Sequence, residues 1–226
     1  MPYHRGCNHQ HLSGGMIMLT VYFAPGSSSM AVHTASHEIG APFEVRPMSF
    51  AGRDLEKPQY LAINPGGEVP TLLIDGRRLT EVAAILHYLA KLFPAASLLP
   101  ENDPEVEAQA ISWTSFKAAT LHPARRMDTD HVMKMWTLAD RRLGEREWTL
   151  GRYSIADIHL FPLYWRLANS PQRAPGIFPN LSAHYQRMMA RPAVQRTCEI
   201  EAAIGYELPP WANRRDRIKC SRRRFQ

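Results

Sequence analysis

Three consecutive serines, Ser27, Ser28 and Ser29, follow Pro25-Gly26 and precede the run MAVHTASHEIG. Hydroxyls at the start of a helix lie beside unpaired N–H groups, and together these favour a bound anion. The same residues also serve as turn and cap residues. A second group sits at Leu79-Thr80-Glu81-Val82. Here a helix start offers N–H groups to a carboxylate, and the Glu81 side chain can pair with an ammonium, so an α-amino-acid head group meets both needs. Read alone, Glu81 is equally a favourable first-turn acid. A third feature is Glu68-Val69-Pro70 entering a strand, where a proline costs little. Histidines, His33 and His122 among them, titrate near neutrality and can stabilise an anion or take a proton, with a buried structural role as the alternative.

The elements that must hold these residues are legible. MLTVYFA is a short β-branched and aromatic run ended by Pro25-Gly26, so a buried strand. The serines then open a helix that stops at Gly40, with serine as its N-cap. FEVRPM is a second strand, parallel to the first if that helix is a crossover. EVPTLLI and RLTE flank Asp75-Gly76, a hairpin signal. Val82, Ile85, Leu86, Leu89 and Leu92 form a helical stripe, and GRDLEKPQYLAINPGG carries a short helix. Beyond about residue 95 strands give way to helices: one from Asp103-Pro104 through EVEAQAISWTSFKAATLH, one over HVMKMWTLADRRLG, one over SIADIHLFPLYWRLA bent at Pro162, then LSAHYQRMMA and PAVQRTCEIEAA. Ser154 and Asp157 form a capping box. The order reads β-α-β, loop, β-β-α, then all-α.

Composition places these elements in a water-exposed protein. The chain has 226 residues, 45% hydrophobic and 21% charged. No apolar run is long enough to span a bilayer, and the head has no apolar segment of a secretory signal. Cys7, Cys198 and Cys220 form no CxxC pair, which fits a reducing, cytoplasmic setting. The formal net charge of +6 is matched by the tail alone, where Arg214, Arg215, Arg217, Lys219, Arg222, Arg223 and Arg224 outweigh Asp216. The body is near neutral, so nucleic acid is not an expected partner, nor is a membrane. Cys7, His9 and His11 have metal-ligand spacing but no supporting residues, and no metal is expected.

Taken together, YFAPGSSSMAVH, AINPGGEVPTLL, LTEVAAILHYLA, GRYSIADIHL and FPNLSAHYQRMMARPAV resemble the glutathione S-transferase family over nearly all of residues 18–205. The likeness is to the bacterial branch related to the beta class. It implies an α/β thioredoxin-like N-terminal domain over residues 18–95 and an all-α C-terminal helical domain over 103–205. Residues 1–17 are then a disordered head or non-native extension, and 206–226 a basic tail. It also implies a cis Pro70 facing the active site, glutathione as co-substrate, and a homodimer. In the family, residues equivalent to Val69 and Pro70 receive the cysteinyl backbone of glutathione. Those equivalent to Glu81 and Val82 hold its γ-glutamyl end, although the family usually has Ser or Gly where Val82 stands.

The implied activity is conjugation of the glutathione thiolate to small apolar electrophiles; a non-catalytic glutathione-binding protein of the same fold is the alternative. A free thiol titrates near about 8.5, and lowering it by about two units is worth roughly 2.7 kcal/mol. Ser28 matches the position of the beta-class cysteine, Ser27 follows Pro25-Gly26 as a catalytic serine does in other classes, and Ser29 is a third candidate. His122 matches a histidine near the thiol. Between Leu121 and Tyr153 the chain is about a dozen residues shorter than the beta-class pattern. Arg125 and Arg126 lie at this edge, either attracting an anionic substrate or standing in solvent.

Overall fold

The computed structural model describes residues 17–100, 102–169 and 176–207. The Cys7, His9 and His11 set and the arginine-rich tail lie outside the described residues.

Four strands, β1 (Leu19–Phe23), β2 (Phe43–Pro47), β3 (Thr71–Ile74) and β4 (Arg77–Thr80), form one sheet in the order β2-β1-β3-β4. Helix α1 (Met30–Glu38) is the crossover between β1 and β2, which pair in parallel as expected. β3 runs antiparallel to β1 and to β4. Asp75 and Gly76 turn the hairpin with φ of 49° and 79°, the left-handed pair that the two-residue turn requires. A short α2 (Pro58–Leu61) lies in the loop before β3, and α3 (Val82–Leu92) follows β4. Leu19, Val21 and Phe23 of β1, Leu72 of β3, and Ile85, Leu86 and Leu89 of α3 close one core.

The rest is helical: α4 (Pro104–Phe116), α5 (His122–Ala124), α6 (Thr129–Leu143), α7 (Ile155–Ala168), α8 (Pro179–Met189) and α9 (Pro192–Ile204). Asp103 caps α4 by accepting from Val106 N at 3.0 Å, and Asp128 caps α6 by accepting from His131 N at 2.9 Å. Trp113, Leu121, Trp136, Leu160 and Tyr164 centre a second core. α7 joins the two cores, giving Ile155 and Ile158 to the first and Ala156, Leu160 and Leu163 to the second. The architecture is therefore a thioredoxin-like domain followed by a helical domain. Among the described residues, no helix is long and apolar enough to cross a membrane.

Two local expectations differ from what is observed. Ser29 stands at the N-cap of α1, but its hydroxyl makes no cap bond there. It accepts from Ala24 N at 3.0 Å instead, tying the turn back to the end of β1. The single helix expected from Asp103 to His122 is broken by a π-helical turn, Lys117–Leu121, between α4 and α5. His122 N–H reaches back to the Lys117 carbonyl, and the next residue, Pro123, has no N–H to continue the ladder.

Candidate functional site

The Ser27–Ser29 turn is built by its own hydroxyls. Ser27 Oγ lies 2.5 Å from Ser29 Oγ and accepts from Ser29 N at 3.1 Å, and both residues are buried. These bonds consume the Ser27 and Ser29 hydroxyls inside the turn. Ser28 is left half-buried, with no side-chain hydrogen bond among the described residues, and it lines a cavity of about 390 Å³. The preceding Gly26 has φ of 72°, and its N–H donates to Glu201 Oε2 of α9 at 2.7 Å.

The opposite edge of the cavity is the start of β3. The Val69–Pro70 peptide bond is cis, as the resemblance implies. Glu68 is fixed through its carbonyl, which accepts from Tyr60 Oη at 2.6 Å and Asn64 Nδ2 at 2.9 Å. Val69, one residue on, has no main-chain partner among the described residues, so its peptide groups are available to an extended ligand.

The third edge is the start of α3. Glu81 adopts φ 69° and ψ 118°, a backbone region that costs a non-glycine residue about 1–3 kcal/mol and recurs at ligand clamps. The consequence is local: α3 begins at Val82, and the Val82 and Ala83 N–H groups have no acceptor. Both residues line the cavity at the positive end of a helix, beside the exposed Glu81 carboxylate.

The fourth wall comes from the helical domain: Lys117, Ala118, His122 and His159. The Lys117 side chain is buried, the residue being 2% exposed, and it has no hydrogen bond or ion pair among the described residues. Burial, with Arg125 nearby, drops its ammonium to about 7. His122 is pushed down to about 3, first by burial and then by Lys117, Arg125, Arg126 and Arg166. His159 is 2% exposed, its Nδ1 has no hydrogen-bond partner among the described residues, and burial holds it well below the usual histidine range. Both histidines are therefore neutral near pH 7, so His122 can donate or accept a hydrogen bond but is a weak base.

Six of the seven expected site residues thus share one cavity: Ser28, Val69, Pro70, Glu81, Val82 and His122. Ser27 does not line it. His33 lies outside it, buried beneath the serine turn with Nδ1 3.0 Å from Glu201 Oε1. Lys117 and His159 were not expected. Five residues apart in an α-helix, Lys117 and His122 would stand about 140° from each other; the π turn brings them onto one face. No periodicity in the sequence signals that turn except Pro123.

A family model for the glutathione S-transferase N-terminal domain matches residues 18–91, and one for the C-terminal domain matches residues 129–192. The glutathione S-transferase GstA of Escherichia coli O157:H7 is 32% identical over 81% of this chain and 98% of its own. The glutathione S-transferase GST-4.5 of Xanthomonas campestris is 30% identical over 81% and 98%. A glutathione transferase homologue from Sulfitobacter, crystallised with bound glutathione, superposes with a TM-score of 0.71 at 32% identity, covering 81% of this chain and 98% of that one. Domain order, sheet topology and relatives spanning almost their full length agree: the chain belongs to the glutathione S-transferase family.

Proposed function

We propose that this protein is a glutathione transferase that joins the glutathione thiolate to a small electrophile. The observation that carries this reading is the single cavity lined by Ser28, Val69, Glu81 and Val82, with His122 across it. The γ-glutamyl carboxylate is received by the Val82 and Ala83 N–H groups and its ammonium by Glu81. The cysteinyl backbone pairs with Val69 beside Pro70. This seats the sulfur at the start of α1.

There the Ser28 hydroxyl is the free donor of the cluster and supplies a hydrogen bond to the thiolate, assisted by the helix N-terminus. Ser27 instead shapes the turn. His122, neutral, donates a second hydrogen bond. The thiol proton passes to solvent. The sulfur attacks the electrophilic carbon, a C–S bond forms, and the leaving group departs with the electron pair of the broken bond. Because Ser28 stands where a cysteine is expected, no mixed disulfide with glutathione forms at this position, which favours conjugation over thiol–disulfide exchange.

A homodimer is part of the same reading and is checked by the mass in solution. The test of function is retention on immobilised glutathione together with turnover of an activated aryl chloride. Retention without turnover at high protein concentration identifies a non-catalytic glutathione-binding protein; failure of both refutes the reading.

A further inference from the structure

The helical wall of the cavity carries charge that a glutathione transferase acting on apolar electrophiles does not need. Lys117 is almost fully buried, lines the cavity and has no counter-ion among the described residues. Burying an unpaired cation is expensive, so a residue of this kind points to an anion that completes it. In the proposed pose the γ-glutamyl carboxylate of glutathione sits at the start of α3, and the acids lining the cavity, Glu68 and Glu81, belong to the same thioredoxin-like side. His159 lines the same wall from α7, and its ring has a buried nitrogen, Nδ1, with no hydrogen-bond partner among the described residues. The cavity is therefore acidic on one side and cationic on the other.

We propose that Lys117 and His159 form an anion site for the second substrate, so that the electrophile carries a carboxylate. This deepens, and rests on, the assignment of the opposite side of the cavity to glutathione. The carboxylate accepts from the Lys117 ammonium and from a ring N–H of His159, and its electrophilic carbon lies toward Ser28. The π turn is what aims Lys117 into the cavity.

The groups around Lys117 fix how the site responds to pH. They are His122 and Arg125 on its own segment, His159 of α7, Arg126 and Arg166 acting on His122, and Glu68 and Glu81 across the cavity. α6, packed behind, adds Val132 and Trp136 to the apolar cluster around Leu121 and gives no group to the lining. Burial leaves Lys117 only partly charged near neutrality. A bound carboxylate favours the charged form, so affinity is greatest below about pH 7 and falls above it.

The probe pair is 3,5-dinitrobenzoate and its methyl ester, which share a ring but not the charge and carry no halide to displace. Both are titrated into the full chain saturated with S-methylglutathione, which has no titrating thiol. The acid is expected to bind about tenfold or more tightly than the ester at about pH 6, with the preference shrinking at about pH 8.5. Lys117→Met should bring the ratio of the two dissociation constants close to one. Equal binding of acid and ester by the wild type, or a preference unchanged at the higher pH, overturns the proposal; the pH series needs no variant to fold. Equal binding here alongside a Lys117→Met shift in the pH–rate profile assigns Lys117 to the thiolate instead. Absence of turnover with an aryl chloride bears on the transferase reading alone and leaves this binding result standing.

Discussion

His33 and Glu201, 168 residues apart in sequence, form a fully buried pair with Nδ1 3.0 Å from Oε1. The other carboxylate oxygen of Glu201 accepts from Gly26 N. One side chain of α9 thereby anchors both α1 and the glycine that introduces the serine turn. Removing it leaves a buried imidazole and a buried N–H unpartnered. Glu201→Ala is therefore expected to destabilise the fold by about 3–5 kcal/mol. Glu201→Gln, which keeps an acceptor for Gly26, should cost less. Urea denaturation of the two variants checks the order; equal, small losses would show that α9 does not anchor the turn.

Asp157 is buried and more heavily used than a capping residue alone. It accepts from Thr149 N at 2.8 Å, from Ser154 N and Ser154 Oγ at 2.9 Å, and lies 3.0 Å from His184 Nε2. Capping alone is worth about 1 kcal/mol; with the buried partners included, Asp157→Ala should cost about 3–5 kcal/mol. A loss near the capping value, measured by the shift in denaturation midpoint, would mean that Thr149 and His184 find other partners.

Lys117 is expected to lower the stability of the empty protein. Its folded value, about 7, lies below the ordinary 10.5, so the unfolded chain binds more protons between those limits. Stability therefore rises with pH through that window, and the penalty is complete below about pH 7. Lys117→Met should stabilise the protein at neutral pH by about 1–4 kcal/mol, with the difference fading toward pH 10.5. Thermal melts of both proteins across this range measure it. A variant less stable at pH 7 would indicate that the ammonium has a partner in the empty protein.

Glu81 holds a backbone conformation suited to glycine. Glu81→Gly removes that strain and the carboxylate together. Stability should hold level or rise by up to about 1 kcal/mol, while glutathione affinity falls by about tenfold through loss of the ammonium partner. Melting and glutathione titration of the same sample separate the two effects. Unchanged affinity would remove Glu81 from the glutathione site.

What the sequence made legible was governed by local chemistry. Asp75-Gly76, the Ser154–Asp157 capping box and the Asp103-Pro104 helix start each act through neighbours a few residues away, so their types fix their geometry. Val69, Pro70, Glu81 and Val82 were legible because their order in the chain carries the family likeness. The choice among the three serines was not, since it turns on a hydroxyl pair within the turn. Lys117 and His159 stood inside helical patterns, where a lysine reads as solvated and a histidine as core. Their meeting depends on the π turn and on how α7 sits beneath the cavity. The Glu201–His33 pair was hidden for a related reason: its contact is made only by tertiary folding.

The central claim is that glutathione binds in this cavity with its sulfur on Ser28. It is tested most directly by the ultraviolet absorbance of the bound thiolate, followed as pH is varied in the wild type, Ser27→Ala and Ser28→Ala. The account predicts a thiol lowered by about two units in the wild type and returned toward about 8.5 in Ser28→Ala. Ser27→Ala should act less, through the turn. A thiol with the same midpoint in the wild type and in Ser28→Ala would contradict it.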